Sequence, residues 1–252
     1  MKIVSWNVNG LRSAIKKGFE SWLLESKADF VCLQEIKSGP ISFSSSLFNQ
    51  SNYFEYFNSA ERKGYSGTAI FTKVKPITFN NSLGFEKFDF EGRFSTLIYE
   101  NVTIINVYMP HGGRDKKNLE YKLESYEKLL EYLAKIKNEN VVLVGDFNIA
   151  HGEADLARPR SNIRNIMFTP EERVMLGRLI DLGFDDSFRM FDKKGGNYTW
   201  WPYRNDLRKR NVGWRIDYIF VSKSLGSKLV NASILKTITG SDHCPVGIDL
   251  RA

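Results

Sequence analysis

The chain has 252 residues, 42% hydrophobic and 26% charged, so it has enough apolar surface for a large core and too balanced a composition for wholesale disorder. A net charge of +7 admits an anionic partner without demanding one, and two cysteines, Cys32 and Cys244, make no disulfide framework and suit a reducing interior. No window approaches the roughly 18 apolar residues of a membrane span and the start MKIVSWNVNG carries no long apolar leader, so no membrane is expected and a cytoplasmic location is, nucleoid-associated if prokaryotic.

In chain order, Lys2 to Val8 alternates as a strand and runs into Asn7, Asn9 and Gly10. One helix is predicted next, with Ile15, Phe19 and Trp22 on one face and Arg12, Lys16 and Lys17 near its start. Asp29 to Gln34 reads as a buried strand closed by Glu35. Residues 38–52 are Ser-rich and predict a loop with one short helix. Tyr53 to Asn58 and Thr68 to Thr72 read as strands on either side of a basic turn. Phe94 to Glu100 and Val102 to Tyr108 predict a hairpin around Glu100-Asn101. Leu119, Leu123, Tyr126, Leu130 and Leu133 form the stripe of a long amphipathic helix. Val141 to Gly145 is a buried strand ending in Asp146-Phe147-Asn148. Thr169-Pro170-Glu171-Glu172 is a helix start with a capping box, and Gly183 is its stop. A glycine-rich turn at 194–197 leads into Tyr198-Thr199-Trp200-Trp201 and a basic loop; two final strands follow, Ile216 to Val221 and Cys244 to Leu250.

Many of these strands are apolar on both faces and need cover on both sides. Two packed mixed sheets with helices outside satisfy that, which predicts an α/β fold of four layers, an αββα sandwich, as a single domain over 1–252. The second half repeats the strand–helix plan of the first without a clear sequence repeat. Polar residues recur where the apolar strands end: Asn7, Asn9, Glu35, Tyr108, Asp146, Asn148, Asp217, Asp242 and His243. Taken singly, each is most simply a solvated strand end, a turn residue or a structural histidine. Jointly, several carboxylates gathered at one edge repel one another unless a cation or water balances them. The donors are oxygen-rich and include no thiolate, which suits Mg²⁺ or Mn²⁺ better than zinc. A His–carboxylate pair, a further Asp, a Tyr and a divalent cation together suggest phosphoester hydrolysis.

The runs SWNVNGLR (5–12), LQE (33–35), GYSG (64–67), NVYMP (106–110), GDFN (145–148), NVGWRIDY (211–218) and GSDHCP (240–245) resemble the exonuclease III family of apurinic/apyrimidinic (AP) endonucleases. That family lies within the endonuclease/exonuclease/phosphatase superfamily. The resemblance extends from residue 2 to 250 with the motifs in family order; GYSG, NVGWR and DLARPRSNIRNIMFTPEER (155–173) are its most specific parts. It implies a Mg²⁺-dependent enzyme that cuts DNA 5′ to abasic sites, with 3′–5′ exonuclease and 3′-repair activity, acting as a monomer on double-stranded DNA bearing abasic sites or 3′ blocks. It implies that Asn7 and Glu35 hold the metal, with Asp146, Asn148, His243 and Asp242 around it. Asp146 would activate the attacking water and Asn148 position it. Tyr108 and His243 would stabilise charge on the phosphate, and Asp217 would orient His243. Position 9 is Asn where some members have Asp, and position 111 is His where many have Asn.

DNA contacts are expected from loops beside these motifs: Arg12, Lys17, Arg62, Lys63, Tyr65, Arg114, Asn162, Asn165, Arg204, Arg208, Lys209, Arg210 and Arg215. Trp200 and Trp214 flank the basic loop and are expected to pack against an extruded abasic sugar. The rival functions are another hydrolase of the superfamily, such as a small-phosphoester phosphatase or non-specific nuclease, and a DNA-binding module without catalysis.

Overall fold

The computed structural model describes residues 1–41 and 52–251, so most of the Ser-rich segment and its predicted helix lie outside the described residues. Two strand–helix–strand units set the architecture. In the first, β1 (Lys2–Asn7) is followed by α1 (Leu11–Lys16) and α2 (Phe19–Ser26) and returns as the parallel β2 (Phe30–Gln34). In the second, β7 (Thr103–Tyr108), α4 (Leu119–Ile136) and β8 (Val141–Asp146) do the same. A parallel neighbour requires such a crossover, and the helix covers the sheet face it passes over.

The other strands pair antiparallel: β3 (Phe54–Asn58), β4 (Thr68–Thr72), β11 (Leu229–Ile234) and β12 (Val246–Leu250) join the first unit, and β5 (Thr78–Asn80), β6 (Phe94–Ile98), β9 (Phe184–Asp186) and β10 (Asp217–Ser222) join the second. Among the described residues each sheet has six strands, in the orders β11-β12-β1-β2-β4-β3 and β5-β6-β7-β8-β10-β9. The two orders match position by position, with parallel and antiparallel neighbours in the same places. The duplication suspected from the strand–helix plan is therefore one of topology.

Three cores fill the gaps between the four layers. Ile3, Phe30, Cys32, Ile104, Val142, Val144, Ile219 and Ile248 meet between the sheets. Val4, Trp6, Val31 and Leu33 pack outward against Phe19 and Leu23 of α2. Ile105, Leu143 and Phe220 pack outward against Tyr126, Leu129 and Leu133 of α4 and Leu176 and Leu179 of α6 (Pro170–Asp181). Alternation along each strand thus sends every second side chain between the sheets.

The single helix expected around Ile15 to Trp22 is two, because Gly18 sits at φ 95° and breaks the run. α6 starts as anticipated, with Thr169 as N-cap and Glu172 closing the box, and Gly183 follows at φ 108°. Gly145 has φ 149°, and a Cβ there would stand 1.9 Å from the Val107 carbonyl oxygen, so only glycine lets β7 and β8 close up at their carboxyl ends. Short helices α3 (Glu86–Phe90), α5 (Pro159–Asn162), α7 (Ser187–Phe191) and α8 (Lys223–Gly226) occupy connections.

Candidate active site

Strand register builds the site in two facing rows. In the second sheet Tyr108 pairs with Asp146, and Asp146 with Asp217, so phenol and two carboxyls lie side by side on neighbouring strands. In the first sheet the corresponding row is Asn7, Gln34 and Thr68. All six are buried, and alternation aims them at the gap between the sheets. One layer deeper, Gln34 Nε2 donates to Ser5 Oγ (2.9 Å) and Asn106 Oδ1 (2.7 Å), and Asn106 Nδ2 donates to the carbonyls of Leu33 (3.0 Å) and Ala69 (3.1 Å). These hydrogen bonds tie the sheets together beneath the site, and deeper still the gap is apolar.

Turns after the strands complete the cluster. Glu35 and Asn148 follow β2 and β8 with φ of 50° and 52°, the left-handed conformation that reverses a chain at a strand mouth. Asn7 Nδ2 donates to Glu35 Oε1 (3.0 Å) and Asp146 Oδ2 (2.8 Å), joining a carboxylate of each half. Asn148 donates its backbone N–H to Asp146 Oδ1 (2.9 Å) and its Nδ2 to the Met109 carbonyl (2.9 Å). His243 comes from the turn before β12 and presents Nδ1 to Asp217 (2.9 and 3.1 Å) and Nε2 toward Asp146 Oδ2 (3.9 Å). With Nδ1 protonated and bonded to Asp217, the ring is held with Nε2 facing the cluster.

The electrostatics follow from burial and crowding. Burial, then the charge of Asp217, pushes the Asp146 carboxyl up to about 7, against the opposing pull of His243 and Asn7. Burial would depress the His243 ring, but Asp217, Asp146 and Asp242 carry it up to about 10, so it is a cation at neutral pH. Burial would also raise Glu35, yet Lys37, the Asn7 amide and His243 bring it below its ordinary value. Tyr108 is held well above its ordinary value by burial and by the nearby Glu35 charge, so it remains a phenol and a donor. Glu35, Asp146 and His243 offer ligand atoms all within 4.8 Å of one another. The donor chemistry fits a hard divalent cation: two carboxylates, amides beside them, no thiolate, and an acid whose charge the surroundings do not fully offset. Asp242 stands outside this trio, its Oδ1 accepting from Asn9 (2.9 Å) and its Oδ2 from Trp200 Nε1 (3.0 Å).

The sequence reading missed three supporting cations. Lys37 pairs with Glu35 at 2.9 Å. Arg93 is buried behind Tyr108, 4.5 Å above its ring, and donates to the Tyr108 carbonyl (2.9 Å) and to Tyr65 Oη (3.0 Å). Lys122 is buried in α4 and donates to the Asn148 carbonyl at 2.7 Å. Each left a weak signal: a Lys two residues from Glu35, an Arg opening an apolar strand, a Lys on the apolar stripe of a helix.

A model of the endonuclease/exonuclease/phosphatase family matches residues 4–243. The chain is 44% identical to an exodeoxyribonuclease of Bacillus subtilis over 98% of both sequences. Among solved structures it is similar to a Neisseria 3′ phosphatase, NExo, bound to product DNA hairpin (TM-score 0.91, 29% identity, 100% of both chains). It is also similar to an AP endonuclease of Archaeoglobus fulgidus (TM-score 0.90, 28% identity, 100% of both chains). The chain belongs to the endonuclease/exonuclease/phosphatase family. Within it, the AP endonuclease and exodeoxyribonuclease branch is the one these similarities select, and the chain is a metal-dependent hydrolytic nuclease.

Around this family's strand mouths, the structure sorts the expected DNA contacts into two kinds. Arg12, Lys17, Arg62, Lys63, Arg114, Asn165, Arg204, Lys209 and Arg210 are exposed, and Tyr65, Asn162, Trp200 and Trp214 are half-buried. Tyr65 lies under Arg62 (5.4 Å), and Asn165 Nδ2 donates to Asn162 Oδ1 (2.8 Å). Trp200 and Trp214 exchange backbone hydrogen bonds at 2.9 Å, with Trp214 set edge-on to Phe168. Arg215 and Arg208 do not fit the expectation of DNA contacts. Arg215 is fully buried and donates to Asp155 (2.7 Å) and Asp186 (2.7 and 3.1 Å), which fixes the turn before β10. Arg208 spends its guanidinium on the carbonyls of Lys236, Ile238 and Ser241 and lies 4.7 Å over Trp201, so it braces the turn carrying His243. Trp201 is core, and the cysteines are free and buried. No helix among the described residues is long and apolar enough to cross a membrane.

Proposed function

We propose that this nuclease repairs DNA by hydrolysing the phosphodiester 5′ to abasic sites and by removing nucleotides or blocking groups from 3′ ends. It would act as a cytoplasmic monomer on double-stranded DNA, with Mg²⁺ as cofactor and Mn²⁺ as a substitute. The observation that carries this reading is Asp146 between Tyr108 and Asp217 on adjacent strands, with His243 and Glu35 delivered to it from the opposite half.

In this mechanism Asp146 takes a proton from a water aligned by Asn148. The water oxygen bonds to phosphorus as the P–O3′ bond breaks; O3′ leaves with the bonding electrons and takes a proton from solvent, giving a 3′ hydroxyl and a 5′ phosphate. Tyr108 donates a hydrogen bond to the phosphoryl oxygens and cationic His243, oriented by Asp217, offsets their growing charge. Glu35, with Asp146 and the amides of Asn7 and Asn148 beside it, would hold the divalent cation, which supplies Lewis-acid stabilisation of the phosphate and leaving oxygen. Asp242 belongs to the rim of this cluster. Exposed Arg12, Lys17, Arg114, Arg204 and Arg210 grip phosphates without reading bases, as a repair enzyme requires. Trp200 and Trp214 wall a pocket for a sugar without a base, whose extrusion costs less than that of a stacked nucleotide.

The test is a panel of duplexes carrying an abasic site, uracil, a blocked 3′ end or no lesion, each with Mg²⁺ and with chelator. Metal-dependent internal cutting confined to the abasic strand, together with 3′ trimming, is expected. Equal internal cutting of intact duplex, or full activity in chelator, refutes the reading.

A further inference from the structure

Asp242 has both carboxylate oxygens engaged by neighbours other than Glu35, Asp146 and His243. Its Oδ1 accepts from Asn9 Nδ2 (2.9 Å) and Ser241 Oγ (3.2 Å), and its Oδ2 accepts from the indole N–H of Trp200 (3.0 Å). The other end of Asn9 is equally committed, since its Oδ1 accepts from the Lys37 ammonium, which pairs in turn with Glu35 at 2.9 Å. The Asn9 backbone N–H, in a turn at φ 47°, donates to Asn7 Oδ1 (3.0 Å). The result is an unbroken polar chain, Glu35–Lys37–Asn9–Asp242–Trp200, in which each donor meets an acceptor. The side chain at position 9 must accept from Lys37 and donate to Asp242 at once, which an amide does; a carboxylate there would face Asp242 with like charge and no donor.

The far end of the chain fixes an aromatic ring. The Trp200 backbone is pinned by its exchange of hydrogen bonds with Trp214, and the indole centroid lies 6.3 Å from that of His243. The indole has one N–H donor, so the bond to Asp242 fixes the side to which its nitrogen edge turns. We propose that Asn9 and Asp242 are specificity-determining positioning residues: they lock the Trp200 indole in the orientation that receives a base-free sugar, and Asp242 does not serve as a cation ligand. This inference rests on the lesion pocket proposed above. It makes lesion discrimination depend on a hydrogen-bond chain anchored at Glu35.

The experiment measures duplex binding without chemistry, as the ratio of Kd for intact over abasic duplex by fluorescence anisotropy in chelator, and separately measures Mn²⁺ binding by electron paramagnetic resonance. Asn9→Asp and Asp242→Asn, each near-isosteric, are expected to lower the Kd ratio at least fivefold, as is Trp200→Phe, which deletes the N–H. Asn9→Asp added to Trp200→Phe should cause no further loss, because the chain is already cut. Mn²⁺ affinity of Asp242→Asn should stay within twofold of the parent. A Kd ratio unchanged by Asp242→Asn overturns the positioning role, and a Mn²⁺ affinity weakened more than twofold by it overturns the proposal by making Asp242 a cation ligand. Multiplying effects of Asn9→Asp and Trp200→Phe overturn it too. A parent protein that binds both duplexes alike refutes the lesion pocket itself, before any variant is compared.

Discussion

Lys122→Met tests how far the floor of the site depends on one buried charge. Lys122 and Glu172 are both fully buried, paired at 2.5 Å between α4 and α6. The ammonium has three protons and three partners: Glu172, the Asn148 carbonyl at 2.7 Å and the His111 carbonyl at 3.3 Å. Glu172 also accepts from the backbone N–H groups of Met167 and Thr169, both at 3.0 Å. Methionine fills the volume of the lysine stem but leaves a carboxylate and two carbonyls without their cation. Breaking a buried pair by removing one partner costs about 3–5 kcal/mol. At about 2–4 °C per kcal/mol for a chain this long, the melting temperature should fall by roughly 6–20 °C. Glu172→Gln leaves the lysine facing a neutral amide and should cost a comparable amount. The double variant no longer strands a charge, so its loss should fall short of the sum by about 1–3 kcal/mol.

Urea unfolding of the parent, both single variants and the double variant gives that coupling directly. The same variants report on chemistry, because the carbonyl that Lys122 holds belongs to Asn148, whose N–H fixes Asp146. Single-turnover cleavage of abasic duplex should drop about tenfold or more in Lys122→Met, while abasic-duplex Kd in chelator stays put. Strict additivity of the stability losses, or a cost below about 1 kcal/mol with normal cleavage, would refute the reasoning.

Two further outcomes are expected. Asp217→Ala and His243→Ala should each slow single-turnover cleavage, and the double variant should lose less than the product of the two, since the 2.9 Å contact makes them one unit; a multiplicative loss would mean they act independently. Burial would raise the Asp155 carboxyl, but the guanidiniums of Arg215 and Arg189 hold it below the ordinary aspartate value. The stability it contributes is therefore fully present above the unfolded aspartate value, near about 3.9, and is lost as pH falls through the lower folded value. Asp155→Asn should lower the unfolding free energy at pH 7 and flatten its fall below about pH 4; parallel pH curves for parent and variant would count against the network.

What was legible in the sequence is what a strand's own pattern carries. Lys2–Asn7, Thr103–Tyr108 and Val141–Asp146 each carry an apolar strand pattern that ends on a polar side chain, so Asn7, Tyr108 and Asp146 could be grouped as strand-end residues from the sequence. The capping box at Thr169 and the stop at Gly183 are equally local. β5, β9 and β11 escaped notice because they are short or at least partly exposed, without an apolar run to mark them. Partner choice was not legible at all. Arg215 and Arg208 look like members of a basic loop, and only the approach of Asp155, Asp186 and the Lys236–Ser241 turn makes them internal. Lys122 and Arg93 were passed over for the converse reason, since nothing near them in sequence identifies Glu172 or Tyr108 as partners.

The matching strand orders explain why the site needs both halves. Equivalent strands carry Asn7 and Tyr108, Gln34 and Asp146, and Thr68 and Asp217, so one row is neutral and the other holds two acids on adjacent strands. The second sheet alone would set Asp146 beside Asp217 with the Asn148 N–H but no paired cation to offset them. The offsetting cation, His243, arrives from the turn leading into β12 of the first sheet, and the Asn7 amide reaches Asp146 from β1 of the same sheet. A sheet-to-sheet contact therefore does chemical as well as structural work. The two groups that lower the Asp146 carboxyl, His243 and the Asn7 amide, thus reach it only while the gap between the sheets stays closed, which is the work of Ile104 and Val144 in the core below.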